Sequence, residues 1–280
     1  MTDNLPPLRD VLTKHGLRAD KKLGQHFLLD LNLTGRIARV AGDLTVGTTI
    51  EIGPGPGGLT RSLLAAGATV VAVERDERCL PIMAEIGEAY KGKFSVVMGD
   101  ALKVDLRQIA PAPRRIVANL PYNVGTDLLL GWLEYATAFE SMTLMFQSEV
   151  GDRIAAPPGS KTFGRLSVLA QWLCDVEPQF RISPQAFTPP PQVESTVIKL
   201  IPLSKPRYEA DQKTLERVTA AAFGQRRKML RQSLKTLAKD SGFADGSALC
   251  EIVGIDPQER AENLSVEQFC ALAREIARQP

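Results

Sequence analysis

Thr49-Ile50-Glu51-Ile52-Gly53-Pro54-Gly55-Pro56-Gly57-Gly58-Leu59-Thr60 is the stretch that decides the fold class. A short β-branched apolar run enters it, and a helix-compatible run over residues 59–66 leaves it. Strand, tight glycine turn and helix in that order open a βαβ unit of the kind that binds a nucleotide-like ligand. Gly53-x-Gly55-x-x-Gly58 fits the dinucleotide fingerprint, but glycine-rich turns are common and are often only structural. Pro54 and Pro56 bend the reading, because proline has no backbone N–H. A loop that cradles a pyrophosphate needs those donors. The turn therefore suits a nucleoside ligand without phosphate, such as S-adenosylmethionine (SAM), with a dinucleotide and a plain structural turn left open.

The whole chain sets the limits. Its 280 residues allow one large or two smaller domains with ample length for a core. With 44% hydrophobic and 24% charged residues, the composition is that of a soluble globular protein. A net charge of +2 makes no global case for nucleic acid, so a local distribution must make it. Cys79, Cys174, Cys250 and Cys270 are scattered without a C-x-x-C pair, and there are only two histidines. Neither a metal site nor a disulfide framework is expected, and a reducing cytosol fits. Residues 1–12 hold no apolar signal core and no run approaches membrane-spanning length, so the expected location is the cytoplasm.

Before the turn, Asp20-Lys21-Lys22-Leu23-Gly24-Gln25-His26-Phe27-Leu28-Leu29-Asp30 follows neither helical nor strand period. It reads as a loop, either plain or folded over a ligand with backbone groups and Gln25 or His26 as polar contacts. After the turn, strand and helix alternate. Residues 69–73 form a continuous apolar β run, as parallel strands covered on both faces require. The run ends at Glu74, about 20 residues after the first glycine, where a carboxylate can hold the ribose hydroxyls of an adenosine moiety or simply begin a helix. Residues 94–98 are a third strand that delivers Gly99-Asp100-Ala101 to the same edge. Asp100 there serves either as acceptor for an adenine amino group or as a turn residue.

Residues 115–118 form a fourth strand that ends in Asn119-Leu120-Pro121-Tyr122. The tetrapeptide has a rationale as a catalytic loop. Adenine N6 is a poor nucleophile because its lone pair is delocalised into the ring. Acceptors on its two N–H groups favour the tetrahedral geometry, and the Asn119 side-chain oxygen and the Leu120 carbonyl can supply them. Pro121 stiffens the turn, and Tyr122 stacks on an extruded base. A Pro-Tyr turn at a strand end is the plain alternative. Further strands are expected at 142–146, 174–182 and 195–201. Between the last two, Phe187 is the only aromatic in a proline-rich loop, either packed in the core or closing the other face of the base.

Residues 202–206 read as a linker, and everything beyond as helical. Residues 225–239 contain Arg226, Arg227, Lys228, Arg231, Lys235 and Lys239 and no acid. Arg227, Arg231 and Lys235 recur every four residues, which predicts one amphipathic helix with a free basic face. Such a face fits a phosphate backbone, or is merely solvated.

Together these residues resemble the ribosomal RNA adenine N6,N6-dimethyltransferases, and within them the bacterial small-subunit (16S) branch. The resemblance runs from Lys21 to the C-terminal helices. It rests on Leu23-Gly24-Gln25-His26-Phe27-Leu28, the Glu51–Gly57 turn, Glu74, Gly99-Asp100-Ala101, Asn119-Leu120-Pro121-Tyr122, Phe187-Thr188-Pro189-Pro190-Pro191-Gln192-Val193 and Phe223-Gly224-Gln225-Arg226-Arg227-Lys228. It implies an α/β fold, a Rossmann-like SAM-dependent methyltransferase domain with seven strands over residues 1–203, and a small all-helical C-terminal domain over 204–280. Residues 1–30 would be an N-terminal extension and cofactor-covering loop. SAM contacts are implied at His26, Leu28, Gly53, Glu74, Asp100 and Asn119, with Gln25, Gly55 and Ala101 beside them. Asn119, Leu120, Pro121 and Tyr122 would hold the target adenine, with Phe187 on its other side. Many relatives carry Asn at the position of His26, which leaves only its backbone contact secure. Arg226, Arg227, Lys228, Arg231 and Lys235 would meet RNA.

The implied reaction is dimethylation of two adjacent adenosines in a hairpin loop near the 3′ end of 16S rRNA. The resemblance places it on the assembling small ribosomal subunit, by a monomeric enzyme without metal. The alternatives are a large-subunit (23S) rRNA methyltransferase of the antibiotic-resistance type, a non-catalytic assembly factor on the same scaffold, and an NAD-dependent dehydrogenase.

Overall fold

The computed structural model describes residues 4–279; residues 1–3 and 280 of the expected domain ranges lie outside it. In chain order the strands are β1 (Phe27–Leu28), β2 (Thr48–Ile52), β3 (Thr69–Glu74), β4 (Phe94–Met98) and β5 (Arg114–Asn119). They continue with β6 (Met142–Gln147), β7 (Cys174–Ile182), β8 (Phe187–Thr188) and β9 (Ser195–Pro202). Seven of them form one sheet in the order β4-β3-β2-β5-β6-β9-β7. β4, β3, β2, β5 and β6 run parallel, and β9 is antiparallel to β6.

Burial explains why these runs are strands. All five residues of β2 are buried, and Ile50, Val70, Ala72 and Ile116 are 0% exposed. A parallel strand covered on both faces needs apolar β-branched residues at consecutive positions, not alternate ones. Each such side chain contributes about 1.5–3 kcal/mol by leaving water. The register sets Ile52 beside Val73, and Asn119 beside Met145. Chain order reverses between the neighbouring strands β2 and β5, so the turn at Gly53 and the loop at Asn119 leave the sheet at one switch point. Open α/β sheets bind ligands at that place.

Helices Leu31–Ala41 and Gly58–Ala65 contribute Ile37, Leu59 and Leu63 to the apolar core. Asp30 caps the first by accepting the Asn32 N–H at 2.8 Å, and Thr34 and Ser62 share a buried hydroxyl contact of 2.7 Å between the two. The 20–30 segment is more structured than a loop. Lys21–Leu23 is a 3₁₀ turn, Gly24 takes the left-handed conformation at φ +64°, and β1 pairs antiparallel with β8. No helix among the described residues is long and apolar enough to cross a membrane.

The chain divides into two compact units, residues 1–151 with 177–202, and residues 152–176 with 203–280. Residues 152–176 therefore group with the C-terminal helices, where the sequence places them in the sheet domain. The 202–206 segment is not a free linker either: Leu203 N–H donates to Leu173 O, and Arg207 N–H to Trp172 O, both at 2.9 Å. Within the second unit Phe163, Phe223 and Phe269 pack as a ring cluster with centroids 5.4–6.5 Å apart.

One expectation fails here. The continuous basic helix over 225–239 does not form. Helix Gln212–Gly224 ends, residues 225–228 turn, and two short helices follow at Leu230–Ser233 and Lys235–Asp240. Met229 forms an antiparallel bridge with Arg260, and the N–H groups of Leu230 and Arg231 donate to Glu259 O and Pro257 O. Those N–H groups are then lost to a helical ladder. Like charges four residues apart also disfavour the helix that the spacing suggests. The apolar side of the pattern survives, with Leu230 and Leu234 at 0% and Leu237 at 9% exposure.

Candidate active site

The ends of β2, β3, β4 and β5 surround a cleft of about 1030 Å³ that is partly open to solvent. The glycine turn forms its floor. Gly53, Gly55 and Gly57 all have positive φ, which an L side chain rarely adopts. A Cβ at Gly58 would collide with the Leu28 carbonyl, so the helix start packs directly on β1. The three odd-numbered glycine N–H groups are already engaged within the protein. Gly53 donates to Val73 O at 2.9 Å, Gly57 to Pro54 O at 2.9 Å, and Gly55 to Glu74 Oε2 at 3.2 Å. With Pro54 and Pro56 between them, the turn offers a diphosphate no donor from residues 53–57.

The walls are acidic. Glu74 is 5% exposed and its Oε1 accepts the N–H groups of Arg75 and Asp76 at 2.8 Å each. Among the described residues Oε2 takes only Gly55 and so keeps a lone pair for a ligand hydroxyl. Burial raises its pKa against those hydrogen bonds. Glu51 is 1% exposed, its Oε2 has no hydrogen-bond partner among the described residues, and burial pushes it up to about 8. A cation beside these two buried acids is stabilised by their ionised forms and in turn favours ionisation of Glu51. The sulfonium and ammonium of SAM fit them, and at Gly53 a Cβ would meet nothing within 4 Å, so the turn leaves open space there.

The other expected cofactor residues separate into two groups. Leu28, Asp100 and Ala101 line the cleft, with Asp100 Oδ1 accepting Leu102 N–H at 3.1 Å. Gln25 also lines it, but its amide is occupied: Nε2 donates to Asp76 Oδ2 at 2.8 Å, and Oε1 accepts Asp20 N–H at 2.9 Å. Asp76 is held below the ordinary carboxylate range, first by its bonds to the Arg78 side chain. Gln25 thus ties the covering segment to the end of β3.

The Asn119–Tyr122 loop is ordered by the same segment. Asn119 Nδ2 donates to His26 O at 3.0 Å. A Cβ at Gly24 would come within 2.8 Å of Asn123 Oδ1, so the two loops pass close together and a larger residue there would displace the Asn123 side chain. Leu120 is 2% exposed, and the Tyr122 hydroxyl lies 2.5 Å from Ser195 Oγ. Burial raises the Tyr122 phenol. The His26 ring stacks on Tyr122 at 5.4 Å, and its Nδ1 lies 2.7 Å from Pro189 O. Phe187 is not a wall of the cleft. It is 3% exposed and belongs to the apolar core, so the structure does not bring it opposite Tyr122 as expected.

Glu51, Asp76 and Ser195 belong to this site without having been singled out from sequence. Only Glu51 carries a local signal, an acid inside an otherwise apolar strand. No cluster of His, Cys, Asp or Glu among the described residues could hold a metal ion. In the second unit Arg227, Lys228, Arg231 and Lys235 are exposed. Arg226 is not: its guanidinium donates to Lys161 O and Phe163 O and pairs with Glu262 at 3.1 Å.

The family described as ribosomal RNA adenine dimethylase matches residues 16–278 of the chain. The chain is 62% identical to the ribosomal RNA small subunit methyltransferase A of Paramagnetospirillum magneticum, over 98% of this chain and 95% of that protein. It is 58% identical to the protein of the same name from Rhodospirillum rubrum, over 98% of this chain and 93% of that one. Among solved structures, a dimethyladenosine transferase from Plasmodium falciparum superposes with a TM-score of 0.77, covering 90% of this chain and 98% of the other. At 23% identity that likeness speaks for the fold.

Proposed function

The chain belongs to the ribosomal RNA adenine dimethylases, and from that premise we propose that it dimethylates N6 of two adjacent adenosines in a hairpin loop near the 3′ end of 16S rRNA. It is a SAM-dependent rRNA adenine dimethyltransferase. The proposed setting is the assembling small subunit, in the cytoplasm, with the enzyme acting as a single copy. The small-subunit name of its relatives supports that substrate over a 23S site.

SAM supplies an electrophilic methyl group carried on a sulfonium. Glu74, Glu51, Asp100 and the Gly53 turn would hold it, with the His26 and Leu28 backbone closing over it. The chain's own part in the chemistry is positioning, which can account for much of a rate enhancement. Asn119 Oδ1 and Leu120 O accept the two N6–H groups and turn the lone pair outward, while Tyr122 stacks on the base. No strong general base is needed, because N6 becomes acidic as it gains a methyl group. Neither histidine is placed as one: His15 contacts Glu85 at 3.1 Å, and His26 contacts Pro189 O.

The observation that carries this reading is the Asn119 amide, oriented by His26 O beside a glycine turn whose residues 53–57 offer no N–H for phosphate. The test offers labelled SAM with undermethylated small subunits and, separately, with protein-free 23S rRNA. Label should enter the small subunits. Label in 23S rRNA alone would overturn the substrate assignment.

A further inference from the structure

The segment that covers the cleft is fastened at one buried carboxylate. Asp76 is 6% exposed and stands just beyond Glu74 at the end of β3. Its Oδ1 accepts the Arg78 Nε–H at 2.8 Å and the Arg78 backbone N–H at 3.1 Å. Its Oδ2 accepts Arg78 Nη2 at 2.6 Å and Gln25 Nε2 at 2.8 Å. The Arg78 guanidinium has donors to spare, and they reach back into the segment. Nη1 donates to Arg18 O at 3.2 Å, and Nη2 to Gln25 Oε1 at 3.4 Å. Asp76, Arg78, Gln25 and the Arg18 backbone thus close one network around residues 18–25. The residues that follow meet the site itself. His26 O accepts from Asn119, the Phe27 ring lies 3.2 Å from where a Gly55 Cβ would be, and the Leu28 carbonyl overhangs Gly58. Glu74 and Arg75 line the cleft, but Asp76 and Arg78 do not. They act on it through the segment they hold.

Dimethylation takes two methyl groups per adenosine, so the cleft must discharge its demethylated product and take up fresh SAM between transfers. The network suits that cycle. Arg78 sits on the 3₁₀ turn Glu77–Cys79, beside Asp76 and apart from the covering segment. When the segment lifts, hydrogen bonds break but the ion pair stays, and the Asp76 charge is not left buried alone. We propose that Asp76 and Arg78 are positioning residues for the covering segment, and that they set the rate at which SAM and its demethylated product exchange between successive methyl transfers. This rests on the reading that the segment closes over SAM.

The test compares wild type with Arg78→Lys, Asp76→Asn and Gln25→Ala. Protein loaded with labelled SAM is diluted into excess unlabelled SAM, and the label left on it is followed in time. Arg78→Lys keeps a cation beside Asp76 but not the fork that spans to Arg18 and Gln25. All three variants should lose label about 3- to 10-fold faster than wild type, the effect of removing one or two hydrogen bonds. Arg78→Lys should raise the KM for SAM in proportion, with its single-turnover rate at saturating SAM and its melting temperature unchanged. Wild-type label loss in Arg78→Lys and Asp76→Asn would overturn the proposal. So would a slower single turnover in Arg78→Lys with unchanged exchange, or faster exchange that only tracks a lowered melting temperature across the variants. Amide hydrogen exchange over residues 18–28, with and without SAM, separates the proposal from its premise. Protection there that SAM leaves unchanged in wild type removes the covering reading and the proposal with it. Protection gained with SAM, beside wild-type label loss in every variant, overturns the proposal alone.

Discussion

Asn119 and His26, 93 residues apart in the chain, are joined by one oriented hydrogen bond from Nδ2 to the carbonyl oxygen at 3.0 Å. A carbonyl cannot donate, so the amide nitrogen is assigned to His26 and Oδ1 is left as the acceptor for a substrate N–H. The direction of the amide is therefore set by the covering segment, not by Asn119 alone. Asn119→Asp keeps an oxygen but places a carboxylate against the His26 carbonyl. It should lower the single-turnover rate of methyl transfer about 10²-fold, the scale of an ångström-sized misplacement. Asn119→Ala should abolish transfer while RNA binding persists. A wild-type rate in Asn119→Asp would show that the orientation does not matter.

Glu51 gives the ligand-free protein a pH dependence of known sign. Burial raises this carboxyl from 4.5 to about 8. A raised acid contributes stability that is fully present below the unfolded pKa and is lost as pH rises through the folded one. Between about pH 4.5 and 8 the wild-type chain should therefore lose melting temperature relative to Glu51→Gln. A cation in the cleft favours the carboxylate form, so SAM binding near neutral pH should release protons. Calorimetry in two buffers of different ionisation enthalpy detects that release. Buffer-independent heats would show that Glu51 keeps its proton on binding.

The limits of sequence reading follow from the same residues. β2, β3 and β5 were legible because parallel strands covered on both faces demand uninterrupted apolar β runs, and the glycine turn marked where the ligand edge lies. β1 and β8 were not, since a two-residue strand has no period to detect. The partner of Gln25 is Asp76, 51 residues away, and the partner of Tyr122 is Ser195, 73 residues away. Such pairs leave no local trace. The helix over 225–239 misled for a different reason: cations four residues apart look like a face, yet their repulsion and the bridge to Arg260 favour a turn.

The cysteines offer a check on packing. All four are buried and unpaired. Burial pushes Cys174 and Cys270 up to about 12 and Cys250 up to about 11, and raises Cys79 as well. The thiolate is the reactive form, so a thiol-disulfide reagent at mildly alkaline pH should find no reactive cysteine in the native chain. After denaturation it should find four. Rapid reaction of even one native thiol would show that its surroundings open in solution.

The basic run of the second unit divides into one structural arginine and a group of free cations. Arg226 meets two carbonyls and a carboxylate, from segments 161–163 and 262. All three contacts run to Nη2, which the planar guanidinium holds at a fixed reach and direction that an ammonium on a shorter, freely turning stem does not reproduce. Arg226→Lys should therefore cost about 1–3 kcal/mol in a denaturant melt, the worth of charge-assisted bonds lost. Arg227, Arg231 and Lys235 are exposed and make no ion pair among the described residues. Replacing all three with Ala should leave the melt unchanged and SAM affinity intact. If each meets a phosphate, the slope of log affinity against log salt should flatten by about 2–3, since each contact contributes about 0.7–0.9. Filter binding to small subunits across a salt series measures that slope. An unchanged slope would mean that these three cations are solvated, and that the RNA surface lies on other residues.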